Sequence, residues 1–230
     1  MTRTLLPDTG LVIGMRYAGS ATSLEAGTPR SSPATAIVGL RTTTRRMRTS
    51  AGGGMLLARL RTAHSGRFFD ESAHALFGKT LPLEQVADPR EVARASSRLL
   101  VAQNDAQRIA IFTAFFLAMS RPWRSDPLVL RALQVIEESS GALRMSALAR
   151  VAALSQDALE KRFRRAVGAT PKQYASIVRL RCAVEAYRTG QSLTQVSFGA
   201  GYCDQSHFTR HFRQVTGEAP SGFLGSAEYC

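Results

Sequence analysis

The feature that most restricts what this chain can fold into is a repeat in its C-terminal part. Ser155, Leu159, Phe163, Gly168 and Pro171 recur as Asp204, Phe208, Phe212, Gly217 and Pro220, each pair 49 positions apart. A fixed period means that one supersecondary unit is used twice. Ser155 and Asp204 carry side-chain oxygens that accept from the free amides at a helix start. Leu159 with Phe163, and Phe208 with Phe212, stand four apart on one helical face and pin the helix to a core.

The opposite face of each helix is polar. It carries Asp157, Glu160, Lys161 and Arg164 in the first copy, and Gln205, Ser206, Thr209, Arg210 and Arg213 in the second. Hydrogen-bonding side chains on a helix held from behind are what reading a major groove requires. A short helix precedes each one, over Ser146–Ala152 and Ser192–Ala200, with Ser146 and Ser192 as expected caps. The connections are Ala153-Leu154-Ser155 and Gly201-Tyr202-Cys203, so each pair reads as a helix-turn-helix. Between the copies, Thr170-Pro171 opens a helix that Gly190 stops. At 1.5 Å per residue its eighteen residues span about 27 Å, enough with side-chain reach to set two reading helices near one DNA turn, about 34 Å, apart.

The chain has 230 residues, 44% apolar and 20% charged, which fits two ordinary globular domains. Its net charge of +13 favours a polyanionic partner. Residues 1–125 hold 17 Lys and Arg against 8 Asp and Glu, whereas residues 126–230 hold 13 against 9. The reading part is therefore the less basic half, and the N-terminal excess is either an Arg-rich composition or a second phosphate-contacting surface. Cys182, Cys203 and Cys230 have no CxxC and no histidine at ligand spacing, which speaks against a disulfide scaffold or zinc site. The start lacks a signal-peptide stretch and the most apolar run, Ile109–Met119, is too short to span a bilayer, so a cytoplasmic location is expected.

Along the N-terminal part, Leu11–Tyr17, Ala34–Leu40 and Met55–Leu60 read as strands divided by turns at Gly19-Ser20, Gly27–Pro33, Gly52–Gly54 and Ser65-Gly66. Asp88-Pro89 starts a helix to about Ala102, and Asn104 or Asp105 caps another with Ile109, Phe112, Phe116 and Met119 at helical spacing, a stripe read as core rather than interface. The prolines of Arg121–Pro127 mark a linker, and helices are expected near 128–138, 146–153, 156–167, 171–188, 193–200 and 205–215. The expected class is α+β. A β-rich barrel or sandwich with trailing helices occupies 1–121, and an all-α domain occupies 127–226.

Gly201 to Arg213, followed by Thr216-Gly217-Glu218-Ala219-Pro220, closely resembles the signature of the AraC/XylS transcription regulators, and Ser155 to Pro171 fits as well. The resemblance covers about Leu128 to Leu224. It implies a double helix-turn-helix DNA-binding domain fused to a sensing or dimerising domain, which activates promoters by contacting RNA polymerase. Carried over by position, Asp157, Glu160 and Lys161 reach bases from the first reading helix, and Gln205, Ser206, His207, Thr209 and Arg210 from the second. Arg210 suits bidentate pairing with guanine, while Asp157 and Glu160 either accept from cytosine or sit back from the phosphates, so the second helix is expected to contribute more affinity. Arg164, Arg165 and Arg213 are phosphate contacts or solvated charges. The sequence departs from the family where Leu224 follows Phe223 in place of an arginine, and where Ser197 stands in place of alanine.

The N-terminal stretches Leu6–Gly10, Gly66–Phe69 and Leu81–Leu83 resemble a barrel-type sensor domain. That implies a small-molecule effector; separately, helices 89–120 are expected to pair two chains into a homodimer. His64 and His74 do not make a metal site, and no cofactor is expected. An enzyme carrying a nucleic-acid-binding appendage is disfavoured because no triad order, paired-carboxylate spacing, phosphate loop or deaminase set occurs. A protein-contact adaptor would leave the polar faces without a purpose.

Overall fold

The computed structural model describes residues 1–25, 28–69, 73–225 and 229; Gly27 of one expected turn and Cys230 lie outside them. Eight strands come first: β1 (Thr2–Leu5), β2 (Gly10–Ala18), β3 (Ala21–Glu25), β4 (Thr28–Ser31), β5 (Thr35–Val38), β6 (Arg45–Thr49), β7 (Gly54–Arg61) and β8 (Thr80–Pro82). They form two antiparallel four-stranded sheets, in the orders β1-β6-β3-β4 and β7-β2-β5-β8. The three apolar stretches visible in the sequence are β2, β5 and β7, all in the second sheet. Its inner side buries Leu11, Ile13, Met15 and Ile37 almost completely. The first sheet has short strands rich in Thr and Arg, which bury little and gave no alternating apolar signal.

The helices follow: α1 (Pro89–Val101), α2 (Asp105–Met119), α3 (Pro127–Glu138), α4 (Met145–Val151), α5 (Gln156–Val167), α6 (Pro171–Arg188), α7 (Leu193–Gly199), α8 (Gln205–Thr216) and α9 (Pro220–Gly225). The architecture is thus α+β, with a β-rich part leading and helices trailing. The short α9 escapes sequence reading because one turn has no periodicity. Asp88 and Asn104 cap α1 and α2 by accepting from Arg90 and Gln107 amides. The expected cap Ser146 is corrected: Arg144 stands at the cap position of α4 without a side-chain bond, and Ser146 lies exposed in the first turn. On α2, Phe112 and Phe115 are buried and Phe116 and Met119 are half-buried, but Ile109 is 56% exposed, so the expected core stripe leaves its first member in solvent.

One apolar core runs without interruption from the second sheet through α1 to α5 and into the first half of α6, ending at Tyr174, Ile177 and Val178. A separate core is built by Leu180, Ala183 and Val184 from the second half of α6 together with α7, α8 and α9. The spacer helix therefore belongs to both cores, one half to each helix-turn-helix. Among the described residues no helix is long and apolar enough to cross a membrane.

Candidate nucleic-acid interface

Both reading helices begin at the capping residues that the repeat singled out. Ser155 Oγ accepts from the Ala158 amide at 3.2 Å, and Asp204 Oδ1 from the His207 amide at 2.6 Å. Both end at a left-handed glycine, Gly168 with φ +91° and Gly217 with φ +81°. Leu159, Phe163, Phe208 and Phe212 are all essentially inaccessible, which fixes the helices from behind. The anchors also make ring contacts, Phe163 edge-on to Tyr174 at 5.7 Å and Phe208 to Phe212 at 5.6 Å between centroids.

With one side sunk in the core, the other side is turned out. Asp157, Glu160, Lys161, Arg164 and Arg165 are exposed on α5; Gln205, Ser206, His207, Arg210 and Arg213 are exposed on α8, and Thr209 is half-buried. Gln205, Ser206, Thr209, Arg210 and Arg213 line one shallow concavity with Gln214. Gln205 is not wholly free to choose its partner, because Thr194 Oγ1 of α7 donates to its Oε1 at 3.3 Å. That contact orients the amide and turns the acceptor inward, so that the NH2 group is the donor left to the outer face.

The two turns are built alike but are not the same length. Leu154 N donates to Ala149 O, and Tyr202 N to Ser197 O, both at 3.0 Å, closing the preceding helix through a left-handed residue. That residue is Gly201 in the second copy, at φ +72°, and Ala153 in the first, at φ +51°. One residue fewer then precedes the cap in the first copy, so the 49-residue register slips by one inside the turn.

The second motif holds a polar cluster that sequence reasoning missed. Tyr202 hydroxyl lies 2.8 Å from His211 Nδ1, and Ser176 Oγ of α6 lies 2.7 Å from His211 Nε2. Arg179 stacks over the Tyr202 ring at 5.4 Å, and His207 meets its edge at 5.4 Å. Burial, reinforced by Arg179 and then His207, holds His211 below the ordinary imidazole range, and burial alone raises Tyr202 above the phenol range. A neutral imidazole bonded at both nitrogens ties α8 to its turn and to the spacer helix. No motif marks such a residue; only the four-residue step from His207 to His211 hinted at a shared face.

The β-rich part touches both motifs. A Cβ on Gly168 would stand 2.6 Å from Ala73 O, so the end of α5 lies directly against the segment after β7. Thr44 N donates to Val215 O at 3.0 Å, in the last turn of α8. Asp8 receives Arg59 Nε of β7 at 2.5 Å and faces Arg181 of α6 at 3.6 Å. Beside it a cleft of about 620 Å³ is lined by Arg59, Arg61, His64, Leu133, Tyr174 and Arg181, among others. There Tyr174 hydroxyl donates to Glu137 at 2.9 Å, and burial and then the Glu137 charge raise its pKa. His64 is exposed, 2.9 Å from Ser125 Oγ, and His74 is exposed on a separate turn.

Two capped, core-anchored helices with polar outer faces, joined by one helix that serves both cores, define a double helix-turn-helix DNA-binding module behind a β-rich unit. Residues 148–226 match the family model described as a helix-turn-helix domain, which identifies the C-terminal part as a helix-turn-helix domain. The fold is similar over nearly its whole length to ToxT from Vibrio cholerae, at 14% identity and a TM-score of 0.55, covering 97% of this chain and 93% of that one. ToxT with a bound unsaturated fatty acid matches at 13% identity and a TM-score of 0.51, covering 97% and 90%. A probable AraC family transcriptional regulator from Rhodopseudomonas palustris is 26% identical over 43% of this chain and 95% of its own, at a TM-score of 0.37. No curated protein matches the chain in sequence.

Proposed function

We propose that the chain is a sequence-specific regulator, of the activating type, that reads two successive major-groove segments with helices 156–167 and 205–215. Asp157, Glu160 and Lys161 face bases in one segment, and Gln205, Ser206, His207, Thr209 and Arg210 in the other. Arg164, Arg165 and Arg213 hold phosphates and set the register. The observation that carries this reading is the pair of exposed polar faces on helices whose opposite sides are wholly buried. A helix anchored from behind has its backbone ordered before docking, so only the exposed side chains remain to be fixed, which favours base discrimination over loose attraction.

On this reading residues 1–121 are the sensing or dimerising part and 127–226 the DNA-binding part, with RNA polymerase as the partner at the promoter and a homodimer through helices 89–120. The cleft beside Asp8 fits a small effector. Its arginines suit an anionic group and its Leu130, Leu133 and Val178 side suits an apolar one, as in the unsaturated fatty acid held by the ToxT neighbour. Enrichment of the full-length protein on random duplexes tests the reading. The expected result is a two-part motif whose boxes are separated by about one helical turn, 10 to 10.5 base pairs; recovery of unrelated sequences alone overturns it.

A further inference from the structure

We infer that the outer face of the first sheet is a third DNA-contacting surface, which grips phosphates flanking the segment read by α8. The inference rests on the proposed DNA reading and adds the N-terminal part to it. By register Arg46 and Arg48 of β6 share one face of that sheet, while Arg3, Arg30 and Arg45 fall on the other, with Met47. On β6, Met47 is buried at 9% exposure, so Arg46 and Arg48 project together from the opposite side. Both are exposed, and neither has an ion-pair partner among the described residues. Their cross-strand neighbours on that side are Thr4 opposite Arg46, and Thr2 and Thr22 opposite Arg48. Two like charges on alternate residues flanked only by hydroxyls repel each other in the free protein, and the same set of donors suits a row of phosphate oxygens.

The position of the strand supplies the second half of the argument. Thr44, the residue before β6, is bonded through its amide at 3.0 Å and its hydroxyl at 3.4 Å to Val215 O in the last turn of α8. The basic strand therefore starts where the second reading helix ends, beside the turn that carries Arg213. Arg46 and Arg48 lie about 7 Å apart along the strand, far enough for each to take its own phosphate of one DNA strand. The two arginines are part of the larger positive excess that the N-terminal half carries.

The test is a salt titration of full-length protein carrying Arg46→Ala with Arg48→Ala, on a duplex of about four helical turns taken from the enriched pool and on a scrambled duplex. Loss of two phosphate contacts lowers the slope of log affinity against log salt by about 1.8 on both duplexes. The base preferences stay as in the parent protein, and hydroxyl-radical protection shortens at the end of the site next to the α8 segment. Arg124→Ala with Arg131→Ala, exposed in the linker and on α3, removes the same charge elsewhere and leaves slope and footprint unchanged. An unchanged slope in the β6 variant, or an equal fall in the Arg124 and Arg131 variant, overturns the third surface and leaves the reading helices standing. Failure of the parent protein to bind any duplex overturns both.

Discussion

His211 Nδ1 lies 2.8 Å from the Tyr202 hydroxyl while its Nε2 lies 2.7 Å from Ser176 Oγ, so one imidazole joins the turn, the spacer helix and the second reading helix. Replacing His211 with alanine removes both bonds and leaves two partly buried hydroxyls without partners, at a cost of about 1 to 3 kcal/mol. Urea unfolding measures the loss, and His211→Gln is expected to recover part of it.

The same imidazole makes stability depend on pH. Its folded pKa is below the unfolded value of about 6.5, so in the window beneath that value the unfolded chain binds a proton that the folded one does not. Stability is therefore highest above the ordinary histidine range and falls as the pH drops from about 7 towards the depressed folded value. Melting curves of parent and His211→Gln diverge less as the pH is lowered; parallel curves would refute the assignment.

Gly168 and Gly217 occupy equivalent places in the repeat and both hold a left-handed conformation, but only Gly168 faces a neighbour. Alanine at Gly217 meets open space and costs only the left-handed strain, about 1 to 2 kcal/mol. Alanine at Gly168 adds a clash with Ala73 O and costs more. Chemical denaturation of the two variants ranks them.

Phe163 and Phe208 are equally buried but belong to different cores. Truncation of either to alanine costs about 3 to 5 kcal/mol. Phe163→Ala is expected to lower amide protection as far as β2, whereas Phe208→Ala lowers it only from α6 onward. Hydrogen exchange resolved by peptide distinguishes the two patterns.

Arg210→Ala is expected to lose about 1 to 3 kcal/mol on the selected site and to blur one base preference, while Arg164→Ala weakens every sequence alike and lowers the salt slope by about 1. Competition binding on selected and scrambled duplexes reads both effects. Parent-like affinity of Arg210→Ala for its selected site rejects that residue as a base contact.

The repeat made the reading helices legible because caps and aromatic anchors are local and each has a single task. Every helix expected after Pro127 is present. The first sheet was not legible, since β6 reads Arg-Arg-Met-Arg-Thr with one buried residue in five, and a strand that buries so little leaves no period. Ser146 misled because a serine near a helix start is ordinarily its cap, yet α4 begins at Met145. The one-residue slip between Ala153 and Gly201 was hidden because the turn carries no anchor. His211 was invisible for another reason: its partners Ser176 and Tyr202 come from separate elements that only the tertiary fold brings together.

Since α6 is shared end to end by both cores, the phase between the two motifs is written into its residue count. Deleting one residue there would swing the second motif by about 100° and draw it in by about 1.5 Å. On the DNA side, one extra base pair between the two boxes rotates them apart by roughly 35°. On the proposed two-box reading, a promoter served by this protein would be under selection for spacer length as well as for letters, and its boxes would drift only in step.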